Sequence, residues 1–553
     1  MISIQKIGKN KSAFYTYIIP VILVVINLIL KIRYVNYPSL ALDEPFSLYY
    51  SQFSIKTIIS QLSLGNNTPL YEIFLHYWTG IFGISEFSAR LPSIIFSSLT
   101  VYFIYKICYK YFNFKVAIIA SIFFTFSNYQ LFFAHEARVY PLFMLLTIIS
   151  MYQYIKLIYI EHSKIDIIIY ISICVLLLYS HFFSLFVLFL QFTILSFFYR
   201  SKKKEFWKFV KYFGVIFVFY LPYIGIILNR FLDSSNGTWV ESVKDLRPLH
   251  TFLGILVNNS HLGYTVFLVF FWLFSQHYIV KYFTNKYAQI SVIILSSITI
   301  LLSLSIRLPI FPFEINFSSP LIIIPFLAFY LILFIHFQLN KNFSINYKIV
   351  VSWFFIPGFI MFVTSFFIPM FIDRYLIYFT PAFFIITSIA LCKVDRKYFI
   401  SLSILTITLM VVTFSPLSNN ERDVKTLVKN VKEMQKNSKS AVFICPDYFG
   451  YNFAYYYNIN YFKALPESKP DVDLLNSLKS DNIFLVKNFK SVDSIFKSNN
   501  FNKIIYLDAA ADFAYSNNNI KTNLNKLFKY KSTTIDSLNV PGIFNIYSYK
   551  IQK

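Results

Sequence analysis

The sequence predicts a polytopic α-helical membrane protein, with about 13 transmembrane helices, a long first loop outside the cytoplasm and a small C-terminal α/β domain. Three observations predict this class. Of 553 residues, 57% are hydrophobic and only 14% are charged. Apolar runs of about 20 residues, enough to cross a bilayer as a helix, recur along most of the chain. After Ser415-Pro416 the apolar runs shorten and polar segments separate them.

The formal net charge is +24. Its Lys and Arg residues sit mostly in short segments between apolar runs, with the rest spread through the tail. That pattern fits cytoplasmic loops and anionic lipid headgroups rather than a nucleic-acid groove. Cys108, Cys174, Cys392 and Cys445 are far apart, and three of them lie in apolar runs. They form neither a disulfide framework nor a metal-ligand spacing.

The first apolar run, about Phe14 to Leu30, follows Lys6, Lys9 and Lys11. It is long for a signal peptide, and the small residues at Ser39-Leu40-Ala41 come too late for cleavage. It reads as an uncleaved first helix with its N-terminus in the cytoplasm. The expected helices are 14–33, 87–108, 115–133, 139–159, 165–180, 182–199, 209–228, 263–282, 288–306, 319–338, 348–368, 375–392 and 398–414. The positive-inside rule tests their alternation. Segments expected in the cytoplasm hold Lys106, Lys110 and Lys115, then Lys156 and Lys164, then Arg200 with Lys202, Lys203 and Lys204. Later ones hold Lys281 and Lys286, Lys341 and Lys348, and Lys393, Arg396 and Lys397. Segments expected outside hold isolated charges: Arg90, Arg138, Arg307 and Arg374. The alternation puts residues 34–86 and everything after about 415 outside the cytoplasm.

Within the first outside loop, Ile55 to Leu62 and Pro69 to Trp78 are amphipathic, the pattern of helices lying in the membrane interface. Gly65-Asn66-Asn67-Thr68-Pro69 between them reads as a turn with an Asn/Thr helix cap. A second outside loop, about 229–262, carries Asp233, Asn236, Gly237, Trp239, Glu241, Arg247 and His250. In the tail, Asn419-Asn420 is expected to cap a helix with Val424, Leu427, Val428, Val431 and Met434 on one face. Apolar runs at 441–444, 483–486, 504–507 and 543–546 read as strands, so 416–553 is a separate α/β domain after a 1–415 membrane domain. No phosphate-binding glycine loop or metal motif is visible.

The sharpest chemical signal is Leu40-Ala41-Leu42-Asp43-Glu44-Pro45-Phe46, two adjacent carboxylates just after the first helix. Pro45 biases Glu44 toward extended backbone, where neighbouring side chains point opposite ways. One carboxylate can then face a reaction centre, and a carboxylate suits a general base. The plainer reading is a solvated acidic loop. His135-Glu136-Ala137-Arg138-Val139-Tyr140-Pro141 packs an imidazole, an anion and a cation at a helix end, and charges at membrane depth are costly unless paired or functional. Arg138 and Arg374 are candidates for gripping a phosphate through paired N–H donors. Their plainer readings are a local pair with Glu136 and a headgroup anchor. Arg90 reads as a helix anchor, and His181 and His76 as buried, satisfied histidines. Asp43, Glu44 and a histidine could together hold a divalent metal.

In order and topology these stretches resemble the GT-C superfamily of polyprenyl-phosphate-sugar transferases, and most of all its branch of protein O-mannosyltransferases and lipid A aminoarabinose transferases. Leu42-Asp43-Glu44 resembles that family's acidic motif after the first helix. Asn67-Thr68-Pro69-Leu70-Tyr71 resembles its usual His-Pro-Pro-Leu-Tyr, with the histidine replaced. Arg90-Leu91-Pro92-Ser93, His135 to Tyr140, and Tyr179-Ser180-His181 resemble further family elements. In the tail, Glu421-Arg422-Asp423-Val424 and Pro446-Asp447-Tyr448 do likewise.

The resemblance implies a glycosyltransferase that moves a sugar from a polyprenyl-phosphate donor to an envelope acceptor (lipid, glycan or protein), outside a bacterial inner membrane. It implies acceptor activation by Asp43 in an inverting displacement; beside it, Glu44 is expected to position the loop, the acceptor or a metal. Donor phosphate binding falls to Arg138 and Arg374 by position, and His135, Glu136, His181, Tyr71 and Arg90 are further pocket candidates. Beyond the possible divalent metal no cofactor is implied. A transporter or flippase for a lipid-linked glycan is the main rival, and would show charges deep in helices and repeated broken-helix pairs. A polymerase or ligase would carry its main polar loop later, and a structural envelope protein would tolerate loss of both carboxylates.

Overall fold

The computed structural model describes residues 13–36, 38–65, 67–159, 163–199, 202–235, 240–283, 285–306, 317–416, 423–436, 439–463, 469–515, 518–528 and 544–550. Helix occupies all thirteen expected stretches. Among the described residues nine helices are long and apolar enough to cross a membrane, from Phe14–Tyr34 to Asp373–Lys393. A bent pair, Phe114–Thr125 and Asn128–Ala134, makes a tenth if counted as one span. Three expected spans are shorter: Lys164–Ser180 and Arg396–Val412 have 17 residues and Ser184–Tyr199 has 16. Seventeen residues rise about 25 Å, somewhat less than a hydrocarbon core of about 30 Å. The chain is an integral membrane protein of helical-bundle type.

Two compact units emerge. The first draws its described residues from Met1–Ile32, Ser93–His135 and Val139–Pro416. The second draws them from Arg33–Pro92, Glu136–Arg138 and Leu417–Lys553. The division by sequence at 415 therefore differs from the division by contact, which groups the first loop and a three-residue piece around Arg138 with the tail.

In the first unit, polar side chains tie apolar helices together. Asn27 donates to Thr125 Oγ1 at 3.1 Å and accepts from Ser98 at 3.0 Å, and Lys31 Nζ donates to Ser97 Oγ at 2.6 Å. The 61° bend between Thr125 and Asn128 breaks the helical ladder, which apolar surroundings penalise unless the freed groups find partners. Asn258 supplies them. It accepts from Asn128 N at 2.7 Å and donates to Phe126 O at 2.9 Å.

The second unit begins with three short helices, Glu44–Tyr50, Ile55–Leu62 and Leu70–Phe82. Ser54 caps the second through Thr57 N. Pro69 holds the N-cap position of the third, and the Asn67 side chain accepts from Arg138 Nη2 at 2.8 Å; Asn66 lies outside the described residues. The tail is an α/β sheet in the order β2-β1-β3-β4: β1 (Ser440–Cys445), β2 (Ile483–Leu485), β3 (Lys503–Ala509) and β4 (Phe544–Lys550). β1 pairs in parallel with β2 and β3, and β4 closes the edge antiparallel to β3. Every residue of β1 is buried, as expected of a central strand covered on both faces.

The amphipathic tail helix spans Val424–Gln435, and Val424, Leu427, Val428 and Val431 are buried as expected. Its cap is Asp423, which accepts from Thr426 N at 3.0 Å. The expected cap pair Asn419-Asn420 lies outside the described residues, as do Glu421, Arg422, Arg200, Arg307, Asn236, Gly237 and Trp239. Asp423→Ala is expected to cost about 1 kcal/mol of stability, since an orphaned helix N–H loses its acceptor. Thermal unfolding of the purified protein checks this, and an unchanged midpoint would speak against the cap.

Candidate active site

The candidate chemistry gathers in the second unit, on the turn that leads into the Glu44–Tyr50 helix. Asp43 takes the N-cap position, with φ −89° and ψ −3°. Glu44 is not extended, as the following proline had suggested. It is the first helical residue, and Pro45 sits in the first turn, where a missing N–H breaks no helical bond. The two side chains still diverge. That of Asp43 is 49% exposed and that of Glu44 is 2% exposed.

Glu44 is pulled inward by Arg90. The guanidinium donates to Glu44 from Nε and Nη2, both at 2.7 Å. Its remaining bonds go to the carbonyls of Val35, Pro38 and Ser39. All five N–H donors of Arg90 are thus used in a setting with no solvent exposure. Each Glu44 oxygen also accepts from a backbone amide, Ala137 N at 2.9 Å and Ala41 N at 3.1 Å. Four hydrogen bonds bury Glu44 as an internal brace. Of the two carboxylates expected at the site, Asp43 presents its side chain to solvent and Glu44 does not.

Arg138 lies on the other side of the same turn and is only 5% exposed. Its Nη1 donates to Ser47 Oγ at 2.5 Å, and its Nη2 donates to Asn67 Oδ1 at 2.8 Å. Two carboxylates flank it, Asp43 at 4.0 Å and Glu72 at 3.8 Å. This guanidinium, expected to grip a phosphate, is engaged here with protein acceptors. Glu136 contributes its carbonyl, which accepts from Arg138 N at 2.8 Å.

Glu72 was not anticipated. It is 2% exposed and accepts from Ser47 Oγ at 2.6 Å. Burial pushes its carboxyl above the ordinary value, while Arg138 and the Ser47 hydrogen bond pull the other way. Its signal in the sequence is a lone acid on an apolar helix, Leu70-Tyr71-Glu72-Ile73-Phe74-Leu75. Tyr71 beside it is fully buried. His76 donates to the Ser51 carbonyl at 2.8 Å.

The other candidates lie in the first unit. His135 is 7% exposed and donates Nε2–H to the Lys31 carbonyl at 2.8 Å, a structural use. His181 is half-buried and stacks on Phe143 with 4.7 Å between ring centroids. Tyr375 packs edge-on against His181 at 5.6 Å. Arg374 is half-buried next to Tyr375, and its amide is held by Asp373 Oδ1 at 2.7 Å. Among the described residues no group of three or more His, Cys, Asp or Glu side chains comes together as a metal site. Of Asp43 and Glu44, the two acids expected to share a metal with a histidine, Glu44 has each oxygen bound by N–H donors.

Residues 66–225 match the family model described as dolichyl-phosphate-mannose-protein mannosyltransferase. Over the whole chain, the apo crystal structure of ArnT from Cupriavidus metallidurans aligns with a TM-score of 0.55 and 9% identity, covering 96% of this chain and 97% of that one. The two chains share a fold. ArnT from the same organism bound to undecaprenyl phosphate aligns at a TM-score of 0.49 and 10% identity, over 96% and 97% of the two chains. AglB, the oligosaccharyltransferase of Archaeoglobus fulgidus in complex with an inhibitory peptide and a dolichol-phosphate, aligns at 0.46 and 12%, over 89% and 70%. No curated protein matches the chain by sequence. The segment matched by the family model holds Asn67, Glu72, Arg90, Arg138 and His181, while Asp43 precedes it. In this chain the turn carrying Asp43 is braced from within its own unit by Arg90, Arg138 and Glu44.

Proposed function

We propose that the protein transfers a sugar from a polyprenyl-phosphate donor to a hydroxyl or amine acceptor of the cell envelope, on the extracytoplasmic side of a bacterial plasma membrane. The acceptor attacks the anomeric carbon, and the bond from that carbon to the phosphate oxygen breaks. Configuration inverts, the acceptor proton passes to Asp43, and polyprenyl phosphate leaves with the bonding electrons. No nucleotide is needed, because the donor carries its own activated phosphate.

The observation that carries this reading is the contrast among three acids on one scaffold. Glu44 and Glu72 are buried and hydrogen-bonded, whereas Asp43 is half exposed at a braced helix start. A base must reach its substrate, so Asp43 takes that role. Arg138 holds the turn through Ser47 and Asn67. Arg374 is assigned to the donor phosphate on chemistry alone, as a guanidinium with paired donors. The donor class is supported by the family model over 66–225. The first unit also contains an apolar cavity of about 390 Å³, walled by Phe267, Phe271, Phe326, Phe354 and Phe383, whose chemistry suits a prenyl chain. The Lys and Arg alternation supports the extracytoplasmic side.

The test is release of polyprenyl phosphate by the purified full chain, given a panel of polyprenyl-phosphate sugars and an envelope extract. Release with one donor, dependent on the extract, is the expected result. Absence of release across the panel, together with movement of a lipid-linked glycan across proteoliposomes, would replace this reading with the flippase.

A further inference from the structure

We propose that Asn452, in the C-terminal domain, is a positioning residue for Asp43. The proposal rests on the reading of Asp43 as the acceptor base.

The residue before Asp43 is strained. Leu42 has φ +56°, in the left-handed region that disfavours residues with a side chain. Such a conformation costs on the order of 1–3 kcal/mol and persists only where its surroundings over-determine it. Leu42 recovers little by burial, since 44% of it is exposed. The backbone on either side is instead bonded at successive positions. Leu40 N donates to Tyr456 Oη at 2.6 Å, Ala41 N to Glu44 Oε2 at 3.1 Å, and Glu44 N to Ala41 O at 3.2 Å. The Leu42 carbonyl accepts from Asn452 Nδ2 at 3.0 Å. The peptide that carries this carbonyl also carries the amide of Asp43. Rotating it would swing the Asp43 side chain away from its present direction.

Asn452 and Tyr456 are four residues apart on the Gly450–Tyr457 helix, so they share a face. Tyr456 Oη also donates to Glu86 Oε1 at 2.9 Å. The start of that helix presses on β2: a Cβ at Gly450 would lie 2.5 Å from Leu485 Cδ1. The donor is thereby carried on a firmly seated element.

The choice of asparagine is itself informative. Asn452 is 3% exposed, and its Oδ1 has no hydrogen-bond partner among the described residues. A buried acceptor left unpaired costs about 1–3 kcal/mol, so asparagine is a poor choice for stability alone. What it supplies is an N–H aimed at the Leu42 carbonyl, which can only accept.

The experiment compares wild type, Asp43→Asn, Asn452→Ala and Asn452→Asp as full chains in detergent, with whichever donor wild type turns over. kcat, donor KM and thermal unfolding are measured for each. Asn452→Ala is expected to lower kcat by about 10- to 100-fold, as a small misplacement does, with donor KM and unfolding temperature close to wild type. Asn452→Asp replaces the N–H by an oxygen that donates only when protonated. Its kcat relative to wild type is therefore expected to rise as pH falls. A wild-type kcat in Asn452→Ala, with Asp43→Asn inactive, overturns the positioning role and leaves the base in place. A loss of activity that merely follows the loss of folded protein also overturns it. Should Asn452→Ala not fold, a flat pH ratio for Asn452→Asp has the same force. Activity in Asp43→Asn would remove the base and this proposal together.

Discussion

Asp43→Asn is expected to lower the turnover of polyprenyl-phosphate sugar by about 10²- to 10⁴-fold, the usual worth of a positioned general base. The carboxamide is nearly the same size but cannot take up a proton. Its effect on folding is expected to be small, because the Asp43 side chain is 49% exposed and its approach to Arg138 is a long 4.0 Å. Exposed pairs of this kind contribute about 0–1 kcal/mol. Donor KM is expected to stay near wild type, since the role assigned to Asp43 concerns the acceptor proton. The measurement is kcat and KM from polyprenyl phosphate release, alongside thermal unfolding. A rate equal to wild type would remove Asp43 as base, and a fall in rate that tracks unfolding would recast it as structural.

Arg90→Ala is expected to act in the opposite way, through stability. Arg90 is fully buried and spends five N–H donors on Glu44 and three backbone carbonyls. Removing it leaves a buried carboxylate without its cation, which costs about 3–5 kcal/mol. Arg90→Lys keeps the charge but not the planar fork, and is expected to fall short of rescue. Unfolding in detergent reads both variants. A change under about 1 kcal/mol for Arg90→Ala would mean that the pair behaves like an exposed one. The contrast with Asp43→Asn is the useful outcome, since one variant loses chemistry with its fold intact and the other loses its fold.

Much of the architecture was legible in the residues because its signals are local. An apolar run announces a membrane helix wherever the chain goes next, and all thirteen expected stretches are helical. Three of them have only 16 or 17 residues. Strands β1 to β3 followed short apolar runs, and β4 starts inside the fourth, at Phe544, and continues past it to Lys550. Partners distant in sequence were not legible in this way: Asn67, read as part of an Asn/Thr cap, accepts from Arg138, 71 residues away.

The carboxylate pair after the first helix, the long loop and the α/β tail could all be read from composition, periodicity and resemblance. Which carboxylate stays in reach of a substrate could not, because solvation is a property of the folded chain. Asp43 and Glu44 are neighbours of the same charge. One became half exposed and the other a buried brace only when Arg90, 46 residues beyond Glu44, closed on it. Glu72 joined the site through Ser47, 25 residues away in sequence, and Asn452 reached Leu42 across 410 residues. Hydrogen bonds at such separations leave no periodic trace in a sequence. They form only when burial removes water as the competing partner, and at that point each polar side chain must take whichever acceptor or donor the fold has brought beside it.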